Sequence, residues 1–182
     1  MLRNKRFYMA MPYLRASLCL LLFILPHTVV FAQGAKSDTS VVMTGLGINR
    51  NKLIQAIDYF AFGLHFKQDK DVKHQPNFTA ATEDGEQVQL IGTENGLILI
   101  KWTYTIVKSN STNTRCFNRM NAFMLYMAGQ DGVNWFKERL KEISDIPTNL
   151  QLENKTFNGG RYADFTYNPG SKILLLVFTP AK

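Results

Sequence analysis

Cysteine is scarce in this sequence of 182 residues, which contains only Cys19 and Cys116. Cys19 lies inside an apolar run near the start of the chain and follows Leu18 rather than a small residue, so we expect no lipid modification there. If this run is removed by processing, Cys116 has no partner for an intramolecular disulfide. The fold must then be held by its hydrophobic core, which a chain of this length can supply. Cys116 is most simply read as a small buried side chain near the start of a helix.

Acidic residues are absent before Asp38, whereas four basic residues precede position 16. An unbroken apolar segment, 18–25, follows the basic residues, and the chain then becomes mixed before Ala32 and Gln33. This order is typical of a secretory signal peptide with cleavage between those two residues. A membrane-spanning helix needs about 20 mostly apolar residues, which this segment does not provide. The sequence therefore predicts a signal peptide, 1–32, and export to the periplasm or the exterior, with an uncleaved N-terminal membrane anchor as the alternative.

After the signal peptide, the sequence predicts a polar tether, 33–45, and a single domain, 46–182. Loss of the signal lowers the formal charge from +7 to +3, because 17 basic and 14 acidic residues remain. Basic and acidic residues alternate on the last predicted helix, which indicates an ordinary mixed-charge surface. We therefore expect no nucleic-acid partner. Three N-x-[ST] triplets would matter only in a eukaryotic source; they begin at Asn77, Asn110 and Asn154.

Motifs for catalysis and for metal or phosphate binding are also missing. No H-E-x-x-H or G-x-S-x-G motif occurs, and "TGLGINRN" lacks the third glycine of a dinucleotide-binding loop. The stretch "LHFKQDKDVKH" places His65 and His74 among lysines and predicts a solvated linker rather than a metal site. "TEDGEQ" is too short for a calcium loop and predicts a charged, solvated turn. The sequence thus predicts no metal and no cofactor.

Periodicity in the remaining sequence indicates helices and strands. Apolar residues recur at helical spacing in three segments, 49–66, 116–129 and 133–143, each of which predicts a helix. Asn49 or Asn51 can cap the first helix. The break "GQDG" separates the second helix from the shorter third one. Six runs predict strands bounded by turn residues; they are "FTAAT", "QVQLIG", "LILIKWTYTI", "LQLENKTF", "RYADFTY" and "KILLLVF".

Together these elements predict an α+β fold in the order α-β-β-β-α-α-β-β-β. We expect two layers, with one antiparallel sheet of five to six strands and two to three helices on one face. The stretches "INRNKLIQAIDYF", "GLILIKWTYTI", "FMLYMAGQDGVNWFKERLKEI" and "KILLLVF" give a layout that resembles TATA-binding-protein-like and β-lactamase-inhibitory-protein-like domains. The layout also resembles small exported bacterial proteins of unknown function. The resemblance implies an interaction or ligand-binding module rather than an enzyme, and it carries no site residues.

The function expected from the sequence is that of an exported, non-catalytic binding module. Aromatic residues make up 12% of the chain, and those on an open sheet face would form a platform for a partner. The candidate binding residues are Trp102, Tyr104, Tyr162 and Tyr167. The expected partner is an extracytoplasmic protein or a small apolar ligand. The alternatives are a small envelope enzyme that uses Cys116 or His65, and a carrier that holds an apolar ligand between helices and sheet.

Overall fold

A computed structural model of the chain describes residues 44–61, 63–145 and 152–182. The predicted signal peptide, its cleavage site at Ala32 and Gln33, and all of the predicted tether except residues 44 and 45 lie outside these residues. The elements within the described residues are α1 Arg50–Phe60, β1 Lys67–Val72, β2 Gln75–Ala81, β3 Glu86–Thr93, β4 Gly96–Thr105, α2 Asn110–Asp145, β5 Leu152–Phe157, β6 Arg161–Asn168 and β7 Ile173–Pro180.

The seven strands form one antiparallel sheet in the order β1-β2-β3-β4-β7-β6-β5. The sheet is built from two meanders, β1 to β4 and β5 to β7, which meet where β4 pairs with β7. Short turns join the strands of each meander, and α2 provides the only long connection between the two meanders within the described chain. The predicted class, α+β with a single antiparallel sheet, is confirmed.

One face of the sheet carries the core. Because paired residues on neighbouring strands project to the same face, the register places Val88, Trp102, Leu176 and Phe165 in one row across β3, β4, β7 and β6. All four are buried, and they belong to one cluster with Leu53 and Ile57 of α1 and with Met120, Phe123, Met124 and Met127 of α2. The helices therefore cover this face, and the opposite face of the sheet, which we call the open face, has no helix against it within the described chain.

The strand count differs from the prediction, because β1 was expected to be a linker. Its sequence, "KQDKDV", has no alternation of apolar and polar residues, and five of its six residues are exposed. Such a charged strand at the edge of a sheet is common, since it discourages pairing with other chains. Its pairing with β2 depends on a tight turn in which Lys73 and His74 both have positive φ angles, of 49° and 63°. Neither residue type is a strong signal for such a turn.

The helix count also differs, because the two middle helices are merged into α2. The helix of 36 residues is interrupted only at Gly129, whose φ of 65° and ψ of −160° are not helical. The predicted break at "GQDG" is thus a kink rather than a loop. The first helix is shorter than expected and ends at Phe60. Asn49 caps α1, as predicted, by accepting a hydrogen bond from the Lys52 N–H at 3.0 Å. None of the helices in the described parts of the chain combines the length and the apolar character needed to cross a membrane.

The stretch "TGLG" joins the chain before α1 to the β3–β4 hairpin. The Thr44 and Leu46 N–H groups donate to the carbonyls of Asn95 and Leu97, at 2.8 and 2.7 Å. Between them Gly45 has a φ of 62°, and a Cβ atom at this position would lie 2.1 Å from the Leu97 carbonyl oxygen. Only glycine fits such an approach. This glycine pattern therefore allows the chain before α1 to dock against the β3–β4 hairpin.

Candidate functional site

The structure does not bring the four predicted aromatic residues together on one surface. Trp102 and Tyr104 are fully buried on the helix-covered face, where the Trp102 ring lies 5.0 Å from the ring of Phe123. Tyr167 projects to the same face and packs partly buried against the core. Only Tyr162 lies on the open face, so these side chains do not form an aromatic platform there.

The open face instead carries a polar groove over β1 to β4. We define this open-face groove by the side chains that line it and project from the uncovered side of the sheet; they are Lys67, Thr79, Ala81, Gln87, Gln89, Lys101 and Thr103. His65 and Gly63 lie at its rim, and the cavity has a volume of about 640 Å³. None of the described residues that line the groove is acidic or aromatic.

The strand register orders the groove into rows. One row runs Lys67, Thr79, Gln89 and Lys101 across four adjacent strands. Because neighbouring strands lie about 4.8 Å apart, the two lysine Cα atoms at the ends of this row are separated by about 14 Å. A parallel row contains Ala81, Gln87 and Thr103. The groove is therefore a short polar strip, oriented across the strands, with a cation at each end of one row.

Neither lysine of this strip forms an ion pair with a described acidic residue. The ion pairs observed among the described residues, such as Arg115–Asp84 and Arg139–Glu142, lie elsewhere. The Gln89 amide donates to the Asn77 side-chain oxygen at 3.1 Å, and the Asn77 amide donates in turn to the Lys70 carbonyl at 3.2 Å. These bonds fix the orientation of the Gln89 side chain. Asn77 itself is buried, so its triplet is a poor glycosylation acceptor in the folded chain.

The other half of the open face has a different character. Tyr162 and Asp164 project there from β6, and Asn154 projects from β5 beside Asp164. Partial burial, together with the negative charge of Asp164 and a hydrogen bond to it, raises the pKa of the Tyr162 hydroxyl. The Asp164 carboxylate is thus separated from the open-face groove by β7, which presents Leu175 and Val177 on this face.

A second polar cluster lies at the start of β3, between this strand and α2. Glu86 is fully buried and pairs with Arg119, which also reaches Asp84 at 3.3 Å. Asp84 pairs in addition with Arg115 at 2.6 Å, through two parallel hydrogen bonds. The hydrogen bonds from Arg115 hold the pKa of Asp84 below its ordinary value. The sequence predicted a solvated turn here and missed the buried Glu86, because the charged run "TEDGEQ" carries no sign of burial.

Cys116 lies beside this cluster. Burial, reinforced by the negative charge of Glu86, raises the pKa of its thiol to about 11. Burial likewise raises the pKa of the neighbouring Tyr104 hydroxyl, which donates a hydrogen bond to the Asn113 side-chain oxygen. A raised pKa keeps the thiol protonated at neutral pH, and a protonated thiol is a weak nucleophile.

The same cluster contains the group of side chains in the described chain whose ligand atoms are close enough to hold a metal ion. Carboxylate oxygens of Asp84 and Glu86 and the Cys116 sulfur lie within 4.8 Å of one another. Both carboxylates, however, are already paired with guanidinium groups of Arg115 and Arg119. A cation here would have to displace two fixed positive charges and deprotonate a thiol whose pKa is raised. The arrangement is that of a structural ion network.

The two histidines of the described chain lie apart from this cluster. His65 is exposed at the rim of the open-face groove, and His74 is exposed in the turn between β1 and β2. Cys116 belongs to α2, where its side chain is fully buried against the covered face of the sheet. The pair of thiol and imidazole groups required by the enzyme alternative is therefore not assembled in this structure.

Comparison of the chain with family models, with curated proteins and with solved structures finds no match. The chemistry of the open-face groove and of the buried cluster is therefore the basis for any functional proposal.

Proposed function

We propose that the protein is a non-catalytic binding module that acts outside the cytoplasm and contacts its partner through the open face of the sheet. The observation that carries this proposal is the open-face groove, where Lys67 and Lys101 have no ion-pair partner within the described fold. Polar side chains that the sheet holds in position, and that are not used for packing in the core, are available to contact a partner. Export is supported by the pattern of residues 1–32, with cleavage after Ala32.

The alternative of a thiol enzyme is disfavoured by the environment of Cys116. The side chain is fully buried, and the pKa of its thiol is raised rather than lowered. Catalytic cysteines require the opposite, an accessible thiolate stabilised by a neighbouring cation. His65 lies at the open-face groove, on the opposite side of the sheet from the Cys116 thiol, and therefore cannot act as its base.

The alternative of a carrier for an apolar ligand is disfavoured by the packing between the helices and the sheet. The Phe123 ring lies 5.0 Å from the Trp102 ring and 5.6 Å from the Phe178 ring, and the Phe136 ring lies 5.6 Å from the Phe165 ring. Contacts at these distances are normal aromatic packing. The space that an apolar ligand would need is occupied by the core.

The export part of the proposal is tested by intact mass and N-terminal sequencing of the protein from separate cell fractions. We expect a chain that begins at Gln33 in the periplasmic or extracellular fraction. A full-length chain in the membrane fraction would contradict cleavage and would indicate an N-terminal anchor, whereas a full-length chain in the cytoplasm would contradict export altogether.

The binding part is tested by a photo-reactive amino acid placed on either side of the molecule. Thr103 lies in the open-face groove, and Tyr59 of α1 is 85% exposed on the helical side, where it serves as the matched control. We expect a cross-linked product in cells from position 103 and none from position 59. Equal products at the two positions, or none at position 103, would contradict the open face as the contact surface.

A further inference from the structure

We infer that the open-face groove binds a linear acidic polysaccharide, a chain that carries both hydroxyl groups and anionic groups. This inference rests on the proposed function, since it names the class of partner for the same surface. It starts from charge: the groove contains Lys67 and Lys101, His65 lies at its rim, and no described lining residue is acidic. Asp69 projects from β1 on the same side as Lys67 but lies outside the lining, which itself carries only positive charge. A lining of one charge sign favours a ligand of the opposite sign.

The uncharged side chains of the groove indicate which other chemical groups the ligand carries besides its anionic groups. Between the two lysines, the row presents the Thr79 hydroxyl and the Gln89 amide, and the neighbouring row adds Gln87 and Thr103. Hydroxyl and amide groups both donate and accept hydrogen bonds, as sugar hydroxyl groups do. The rows cross four strands, so the groove offers such contacts over a length of about 14 Å. This length suits several consecutive units of an extended polymer rather than a single small anion.

A protein partner fits the groove less well. Energetically important positions in protein interfaces are enriched in aromatic residues and arginine, whereas lysine is depleted there. The described lining of the groove has two lysines and no aromatic or arginine side chain. The strands β2, β3 and β4 are each paired on both sides, so only the edge strand β1 could add an extended peptide as a new strand, and its charged side chains discourage such pairing.

Phosphate groups and membrane surfaces are also disfavoured. Lysine binds phosphate as a point charge, whereas bidentate arginine and clustered backbone N–H groups match phosphate geometry better. No arginine is among the described residues that line the groove, and the N–H groups of the central strands are engaged in the sheet. A membrane surface requires projecting apolar side chains beside the cations. Leu175 and Val177 flank the groove beside Thr103 and Lys101 but are half-buried, and the groove itself presents threonine and glutamine.

The test measures binding of the processed protein to defined polymers by calorimetry or biolayer interferometry. The probes are polygalacturonate, which carries carboxylates, and dextran sulfate, which carries sulfates. The neutral counterparts are methyl-esterified polygalacturonate and dextran, and poly-L-glutamate supplies carboxylates without sugar hydroxyl groups. We expect at least one acidic polysaccharide to bind at least about tenfold more tightly than its neutral counterpart and than poly-L-glutamate, and to lose affinity as salt is added.

Variants tie this binding to the groove. Lys101→Gln and Lys67→Gln should each weaken binding about tenfold, as expected for the loss of one charge-assisted hydrogen bond. Lys108→Gln removes the same charge from an exposed position between β4 and α2 and should change the affinity less than about twofold. Thr79→Val, which replaces a hydroxyl group with a methyl group of similar size, should weaken binding about threefold.

Three results would overturn the inference. The first is that neither acidic polysaccharide binds. The second is that poly-L-glutamate binds as tightly as the polysaccharides do. The third is that Lys101→Gln and Lys108→Gln have equal effects on the affinity. If any one of these results is obtained while cross-linking at position 103 still succeeds, the open face is a contact surface for another class of partner. Only the inference of an acidic polysaccharide then fails. If cross-linking also fails, the proposed function itself is wrong.

Discussion

The buried ion pair between Glu86 and Arg119 should dominate the stability of the region beneath α2. The Glu86 side chain is completely buried, and that of Arg119 is 12% exposed. Replacing Arg119 with methionine keeps most of the apolar stem and removes the guanidinium group. The Glu86 carboxylate then remains in the interior without the cation that stabilises its charge, and a buried unpaired charge is strongly unfavourable.

The size of the effect follows from burial. Removing one partner of a buried pair costs about 3–5 kcal/mol, whereas an exposed pair contributes about 0–1 kcal/mol. Arg115 provides the matched control, since it pairs with Asp84 of the same cluster but its side chain is 50% exposed. We therefore expect Arg119→Met to lower the free energy of unfolding by about 3–5 kcal/mol, and Arg115→Met to lower it by about 1 kcal/mol or less.

Urea denaturation at pH 7, followed by tryptophan fluorescence, measures both variants. Total stabilities of about 5–15 kcal/mol are typical, so the larger loss remains measurable. Adding Glu86→Gln to Arg119→Met should recover about 2 kcal/mol or more, because it removes the stranded charge while keeping the shape of the side chain. Equal losses for Arg119→Met and Arg115→Met, or a further loss on adding Glu86→Gln, would refute this reasoning.

Four further predictions concern other parts of the structure. At pH 8, iodoacetamide should alkylate Cys116 in urea but not in the folded protein, because the thiol is buried and its pKa is about 11; equal rates, followed on the Cys116 peptide by mass spectrometry, would show an accessible thiol. Since this pKa is raised on folding, its contribution to stability is complete below about pH 8.5 and is lost as the pH rises toward 11, which an alkaline denaturation series measures. The pKa of Asp84 is lowered on folding, so its contribution is present at neutral pH and is lost below about pH 4; Arg115→Gln should reduce this acid sensitivity in a pH series of thermal midpoints. Gly45→Ala should destabilise by about 2 kcal/mol more than Gly47→Ala, because both residues have a positive φ but only Gly45 meets the Leu97 backbone; similar urea midpoints would contradict this close approach.

The elements that could be predicted from the sequence are those whose apolar residues lie on one face of the helix or strand. The α1 stripe and its Asn49 cap were visible, because a helix that covers a sheet needs apolar residues at helical spacing. The other six strands, β2 to β7, were visible for the corresponding reason, including β5 at the far edge of the sheet. β1 was not visible, since five of its six residues are exposed and its sequence carries no period. The kink at Gly129 was recognised as an interruption, but its geometry depends on tertiary packing that continues the helix beyond it.

The candidate site was less predictable, because alternation along a strand identifies two faces without saying which one a helix covers. In β4 the aromatic residues Trp102 and Tyr104 alternate with Lys101 and Thr103. Large aromatic residues suit either a core or an exposed platform, and the structure assigns them to the core. Once they are there, Lys101 and Thr103 must project to the opposite side, because successive residues of a strand alternate. The same reasoning applied to the register of β2 and β3 brings Thr79, Gln87 and Gln89 beside them, although these residues are far apart in the sequence. The polar groove is therefore a consequence of how the core is filled: each aromatic side chain that the helices bury fixes a neighbouring polar side chain on the open face.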